Sequence, residues 1–291
     1  MGADVISIQY LTNMKIYKTT NGIVIEKNGD YYFKEGIDWD NFMNTDPLID
    51  HIESAIGSFN KIQSEEFDQL KIMAPVSKQE VWAAGVTYLR SRDARIEESK
   101  DAGGGTFYDK VYLAERPELF FKATPYRVVH PGEHVRIRKD SSWNVPEPEL
   151  TLFINNRGKI AGYSIGNDMS SRSIEGENPL YLPQAKVYDG SAAIGPCVYV
   201  SKDGLPPQTL ITILIERNGQ NVFDGQVRVD RIKRDLNELA EYLYRECSFP
   251  HGCFLMTGTG VVPPNEFTLQ EADQISISID NIGTLKNTVA L

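Results

Sequence analysis

The sequence predicts an α+β, β-rich fold built as a large mixed β roll or sandwich. Three observations carry this. Strand-like runs recur from Val81 to Ile279, Gly and Pro punctuate them, and helical periodicity is confined to a few segments at irregular spacing. A doubly wound α/β fold would alternate strands and helices regularly, and this chain does not. Its 291 residues suffice for one large domain or two modest ones with a full hydrophobic core.

In chain order, Ile23-Val24-Ile25 and Tyr31-Tyr32-Phe33 flank Lys27-Asn28-Gly29-Asp30, the pattern of a hairpin. A helix is expected from Asp46 to Phe59, with Pro47 in its first turn and Leu48, Ile52 and Ile56 on one face. The polar stretch Asn60–Gln69 reads as a linker, giving a small N-terminal domain over 1–69 and a larger domain over 70–291. Strands are then expected at Val81–Ala84, Leu119–Phe121, Val135–Ile137, Leu150–Ile154, Ile160–Ile165, Ala192–Val200, Leu210–Glu216 and Ile275–Ile279. Helices are expected at Leu89–Lys100 and Leu236–Cys247.

Lys and Arg number 30 against 40 Asp and Glu, a formal charge of −10. Such a chain repels phosphates at long range, so neither nucleic acid nor an anionic membrane is an expected partner. With 41% hydrophobic and 24% charged residues the composition is that of a globular protein, not a disordered one. Cys197, Cys247 and Cys253 are odd in number and lack C-x-x-C spacing, which argues against a disulfide framework or a structural zinc site and fits a reducing compartment. No stretch approaches the ~18 apolar residues of a membrane span. Met1–Tyr10 lacks a basic start and does not read as a signal peptide. A cytoplasmic enzyme or binding protein is expected.

The chemistry-bearing segment is Pro146-Glu147-Pro148-Glu149-Leu150. Alternate residues of a strand share a face, so Glu147 and Glu149 point the same way and repel each other unless a divalent cation lies between them. If Asn156-Arg157-Gly158 turns the next strand back as a hairpin, Asp168 arrives at the same end, as a diagonal neighbour of Glu149. Three such carboxylates make an all-oxygen site suited to Mg²⁺, with Mn²⁺ or Ca²⁺ as substitutes. No His is near in sequence, which argues against zinc. Glu-x-Glu also occurs on ordinary solvated strand faces, and Asp168 alone fits a turn cap.

Several segments resemble the fumarylacetoacetate hydrolase superfamily: Leu70–Val76, Gly85–Tyr88, Pro117–Lys122 (PELFFK), Pro146–Leu150 (PEPEL), Ile160–Ser170, Ile194–Pro196, Met256–Val261 and Asp280–Val289. The resemblance runs from about Leu70 to the end. It implies a mixed β-roll catalytic domain, a divalent metal held by Glu147, Glu149 and Asp168, a lysine near that metal at Lys186, and a homodimer or homotetramer. Many hydrolases of the superfamily carry a His after the segment equivalent to Thr87-Tyr88; here Leu89-Arg90-Ser91-Arg92 follows. That stretch, Ala114–Glu118 and Ser170–Tyr181 are instead similar to the sugar-acid dehydratase branch. The implied reaction is the Mg²⁺-dependent dehydration of a 2-keto acid, 2-keto-3-deoxy-D-arabinonate or a similar sugar acid, to 2,5-dioxopentanoate.

On that reading the cation stabilises an enolate, and Lys186 is the base at C3, its pKa lowered toward neutrality by the ion and a dry site. Lys186 also suits a Schiff base with the keto group. Glu118 is a further ligand or the acid that protonates the departing C4 hydroxyl, and it also suits simple pairing with Arg116 or Lys122. Arg90, Ser91, Lys186, Thr257 and Thr259 are the expected substrate contacts. Arg90 also suits pairing on a solvated helix, and Thr257 and Thr259 also suit a plain turn. The Gly103-Gly104-Gly105 run is either a surface loop or the hinge of a lid. The competing readings are a hydrolase or decarboxylase of an acylpyruvate-like 2,4-diketo acid, and a catalytically silent binding or scaffold protein.

Overall fold

The computed structural model describes residues 13–98 and 105–291, so Met1–Tyr10, Gly103 and Gly104, on which expectations were placed, lie outside the described residues. The chain opens with β1 (Asn13–Thr19), β2 (Gly22–Lys27) and β3 (Asp30–Glu35). β2 and β3 form the expected hairpin. It closes at Asn28-Gly29, where φ is 55° and 83°, the paired positive values of a type I′ turn. Next come α1 (Trp39–Met43) and α2 (Leu48–Ala55). α2 starts later than expected because Pro47 has extended backbone and serves as its N-cap, and its end tightens into a 3₁₀ turn at Ile56–Ser58.

The first half continues through β4 (Asn60–Ile62), α3 (Ser64–Asp68), β5 (Ile72–Met73), β6 (Glu80–Gly85), α4 (Leu89–Glu98), α5 (Gly105–Leu113), β7 (Glu118–Ala123), β8 (Val128–Val129) and β9 (His134–Arg136). The site-bearing stretch holds β10 (Asn144–Val145), β11 (Pro148–Ile154), β12 (Ile160–Asp168), β13 (Ser170–Ser171), α6 (Arg172–Glu177) and α7 (Leu182–Lys186). The remainder is β14 (Ala192–Ser201), β15 (Leu210–Arg217), β16 (Gln220–Arg228), α8 (Leu236–Tyr244), β17 (Cys253–Met256), β18 (Gln274–Ile279) and β19 (Gly283–Ala290).

A mixed sheet of twelve strands runs β4-β3-β2-β1-β14-β12-β11-β17-β6-β7, with β5 on β1 and β8 on β14. A second sheet of five runs β16-β15-β18-β19-β9. The central strands are apolar on both faces. Leu150, Leu152 and Ile154 join Ile211, Ile213, Ile275 and Ile277 of the second sheet in one cluster with Leu239 and Leu243 of α8. Phe153, Phe254, Met256 and Val198 point the other way, onto Trp39, Phe42, Leu48 and Ile52 of the first two helices. This two-sided burial explains why these strands read as continuous apolar runs.

The expected division near Gln69 falls within one continuous sheet and core. β1 pairs with β14 from Asn13↔Ser201 to Ile16↔Val198. Met14, Ile16, Ile23 and Ile25 pack in the same cluster as Val198 and Phe254. Asn60–Gln69 is polar because it forms an edge strand and a short helix facing water.

One hairpin places the site. Asn155 Oδ1 accepts from the N–H groups of Arg157 (3.0 Å) and Lys159 (3.1 Å), and Gly158 supplies a φ of 76°. The turn fixes the β11–β12 register at Glu149↔Gly166 and Pro148↔Asn167. Leu152 is fully buried in the main cluster while Val222 is 40% exposed. Leu152→Ala is therefore expected to cost about 2–5 kcal/mol, and Val222→Ala to stay within about 0.5 kcal/mol, as read by denaturant unfolding.

Candidate active site

The hairpin register brings the acidic residues together. Glu147 and Asp168 exchange backbone hydrogen bonds (Glu147 N–H to Asp168 O, 3.2 Å; Asp168 N–H to Glu147 O, 3.0 Å) and so lie directly opposite. Glu149, opposite Gly166, is then the diagonal neighbour of Asp168. One carboxylate oxygen from each of Glu147, Glu149 and Asp168 falls within 4.8 Å of the others, and all three residues are buried. Three hard oxygen donors, with no His or Cys among them, fit Mg²⁺ and admit Mn²⁺ or Ca²⁺.

Buried cations partly offset this acidic cluster. Lys186, the last residue of α7, places Nζ 2.8 Å from Glu147 Oε2, 3.0 Å from Asp168 Oδ2 and 2.6 Å from Ser170 Oγ. Arg172 Nη2 donates to Glu147 Oε1 at 2.6 Å. Its Nη1 lies 3.7 Å from Glu175 Oε2, and Arg95 ion-pairs with Glu175 Oε1. Lys122 on β7 ion-pairs with Asp168 Oδ1. Glu149 is the member without a side-chain cation. It accepts the Gly258 N–H at 2.6 Å. Gly258 has a φ of 91°, and a Cβ there would meet Thr87 Oγ1 at 2.1 Å and the Ala84 carbonyl at 3.0 Å. Only glycine suits that position.

The electrostatics separate the carboxyls. Burial pushes Glu147 up, but Lys186 and Arg172 outweigh it and hold the carboxyl at about 2. Burial, Asp168 and Glu147 push Glu149 well above the usual carboxylate range. Burial raises Glu118 as well, against the opposing pull of Arg95. For Lys186 burial favours the neutral amine, yet Asp168, Glu147 and Glu175 win and raise its pKa. The expected lowering assumed a bound cation; with the carboxylates alone around it, the ammonium is favoured. Lys122 goes the other way: burial outweighs Asp168 and lowers it.

A narrow cleft opens over the cluster, lined by Ser91, Arg95, Phe120, Lys186, Gly258 and Thr259 among others. Ser91 lines it while its Oγ bonds the backbone N–H and C=O of Tyr88 (3.1 and 2.8 Å), closing the first turn of α4. Val86, also lining it, has a φ of 55°, a strained value for a β-branched residue that costs about 1–3 kcal/mol. Glu118 Oε2 is enclosed and without a hydrogen-bond partner, directly above the spot where a Gly85 Cβ would sit, 2.1 Å away.

Two expected contacts lie elsewhere. Arg90 is on the outer face of α4, with Nη1 3.6 Å from Glu97, and does not line the cleft; Arg95 does. α4 turns Ser91, Ala94 and Arg95 inward, one helical face that leaves residue 90 outside. Thr257 is fully buried with its hydroxyl donating to the Leu150 carbonyl (2.8 Å), so it has no free donor for a ligand. Thr259 lines the cleft, its Oγ1 donating to the Val261 carbonyl at 3.1 Å.

The sequence reading missed Lys122, Arg172, Glu175 and Arg95. A signal existed for the first: Glu118, Phe120 and Lys122 alternate on one strand face, so a face carrying Glu118 must also bury Lys122. Arg172, Glu175 and Arg95 belong to contacts between helices and left no local pattern.

A family model described as fumarylacetoacetate (FAA) hydrolase C-terminal matches residues 81–290. The chain is 46% identical over 242 residues to a probable 2-keto-3-deoxyxylonate dehydratase of Haloferax volcanii, covering 83% of this chain and 82% of that protein. It is 43% identical over 226 residues to the 2-dehydro-3-deoxy-D-arabinonate dehydratase of Saccharolobus solfataricus, covering 77% and 76%. A solved structure of 2-keto-3-deoxy-D-arabinonate dehydratase complexed with magnesium and 2,5-dioxopentanoate superposes with a TM-score of 0.80 at 34% identity, covering 95% of this chain and 98% of that one. The matched stretch includes the carboxylate hairpin, α7 and the strands around the cleft, and the chain belongs to the fumarylacetoacetate hydrolase family.

Proposed function

We propose that this chain is a Mg²⁺-dependent hydro-lyase that converts 2-keto-3-deoxy-D-arabinonate, or a closely similar 2-keto-3-deoxy sugar acid, to 2,5-dioxopentanoate. The observation that carries the reading is the dry Glu147/Glu149/Asp168 triad with the Lys186 ammonium against two of its members. The 43% identity to a D-arabinonate dehydratase supports the choice of substrate.

Glu147, Glu149 and Asp168 would hold the cation. When bound, it supplies Lewis acidity that makes the carbon beside a 2-keto group acidic. Lys186, lining the cleft, takes the proton from C3 as the neutral amine, a form that a cation held by Glu147, Glu149 and Asp168 would favour by offsetting the carboxylates that otherwise keep the ammonium. Glu118, whose raised carboxyl keeps its proton at higher pH than usual, donates it to the departing C4 hydroxyl, which leaves as water. A second proton then moves from C5 to the carbon chain and the enol becomes an aldehyde, so the net change is the loss of one water. Ser91, Arg95 and Thr259 line the space for the sugar-acid oxygens.

Within this reading the catalytic part spans about 70–291, and residues 13–69 brace its sheet through β1 and β14. The reading includes a homodimer or homotetramer and a cytoplasmic location. Three free cysteines, two of them buried, support a reducing compartment, and among the described residues no helix is long and apolar enough to cross a membrane.

The direct test is incubation with Mg²⁺ and 2-keto-3-deoxy-D-arabinonate, with aldehyde formation as readout. Turnover of an acylpyruvate or oxaloacetate alone would replace the reading with a hydrolase or decarboxylase, and no turnover together with no metal binding would leave a silent member of the family. Glu147→Gln and Asp168→Asn are expected to abolish Mg²⁺ binding by calorimetry and to abolish activity, with the far-ultraviolet circular dichroism unchanged. Glu118→Gln is expected to lower kcat by about 10²–10⁴-fold while leaving Mg²⁺ affinity within about threefold. Because Glu118 acts protonated, activity is present below its raised pKa and lost as pH rises through it. That alkaline limb disappears in Glu118→Gln, and a pH–rate profile reads it.

A further inference from the structure

We propose that Lys122 is a positioning residue for the metal centre: it holds one oxygen of Asp168 and the end of α7 in place, so that Asp168 and Lys186 present fixed groups to the Glu147–Glu149 pair. This rests on the metal reading given above.

The argument starts from burial. Lys122 is 0% exposed, on β7, in a face it shares with Glu118 and Phe120. A lysine ammonium is among the costliest groups to enclose, and it is tolerated only when its donors are satisfied. All of its partners belong to the site. Nζ ion-pairs with Asp168 Oδ1, donates to the Met169 carbonyl at 3.0 Å and donates to the Lys186 carbonyl. The Tyr188 ring covers it, with the centroid 5.9 Å away. One ammonium thereby ties β7, the end of β12 and the last residue of α7.

The tie has a directional consequence. With Oδ1 engaged by Lys122, Asp168 is left with Oδ2 facing Lys186 at 3.0 Å. The backbone of Lys186 is held by Lys122 while its side chain reaches Glu147 and Asp168 from the other side. Lys122 therefore holds one proposed ligand by charge and the root of the proposed proton carrier by a hydrogen bond. Groups that orient metal ligands in this way typically account for 10–100-fold in metal affinity or activity.

The competing role, a mere charge balancer, predicts the opposite sign. Removing a positive charge beside a cation site strengthens cation binding by Coulomb's law, whereas losing an orienting group weakens it. The test is Mn²⁺ titration of Lys122→Met, followed by the paramagnetic resonance signal of free Mn²⁺, beside wild type and Glu147→Gln. Affinity is expected to fall about 10–100-fold, with kcat reduced even at saturating metal. Unchanged or tighter Mn²⁺ binding would overturn the proposal. Should Lys122→Met fail to fold, Lys122→Gln, which keeps a donor for one carbonyl, carries the same test with the same two outcomes. Wild type failing to bind Mn²⁺ would sink the metal reading itself; wild type binding, Glu147→Gln not binding and both Lys122 variants binding normally would sink the Lys122 role alone.

Discussion

The site depends on mutual neutralisation of charges that are almost wholly withdrawn from water. Glu147, Glu149, Asp168 and Glu175 are buried beside Lys122, Lys186, Arg172 and Arg95. Enclosing any one of these ions alone would cost several kcal/mol, and breaking a buried pair typically costs about 3–5 kcal/mol. All but Glu149 are tolerated because a neighbour of opposite sign lies within hydrogen-bond or ion-pair reach, and Glu149 accepts the Gly258 N–H instead. The same network that makes burial tolerable also fixes where each carboxylate oxygen points. Stability and chemical geometry here have one cause.

The scaffold supplies what the network cannot. Two strands joined by a tight turn hold Glu147, Glu149 and Asp168 through backbone hydrogen bonds, so their mutual register does not depend on side-chain flexibility. β7 and α7 bring lysines from opposite sides, and α4 lays Ser91 and Arg95 over the cleft. The strained or glycine-only backbone at Val86 and Gly258 borders the same cleft, where a backbone N–H must reach a carboxylate. Strain of this kind persists only where surrounding packing enforces it.

Division of labour among the carboxyls follows from their neighbours. Glu147 touches Lys186 and Arg172 and is held ionised at about 2, while Glu149, buried, near two other carboxylates and without a side-chain cation among the described residues, is pushed up. Glu118 is separate from the triad, its Oε2 enclosed and without a hydrogen-bond partner, and is raised by burial. Identical side-chain chemistry is held ionised or pushed toward the neutral form according to what lies within a few ångströms.

What the sequence alone determined is whatever depends on short-range periodicity. Strand alternation put Glu147 and Glu149 on one face, and the Asn-Arg-Gly turn brought Asp168 beside them, because hairpin register is local. The β-rich class was legible for the same reason. Tertiary structure decided the rest. α4 is charged all round, so no apolar stripe announced its phase, and only packing revealed that Arg95 turns inward and Arg90 outward. Across the expected boundary near Gln69, β1 pairs with β14, joining residues nearly two hundred positions apart, which no local pattern encodes. The carboxylates around Lys186 were likewise out of reach: Glu147, Asp168 and Glu175 come from separate segments that only the folded chain brings together.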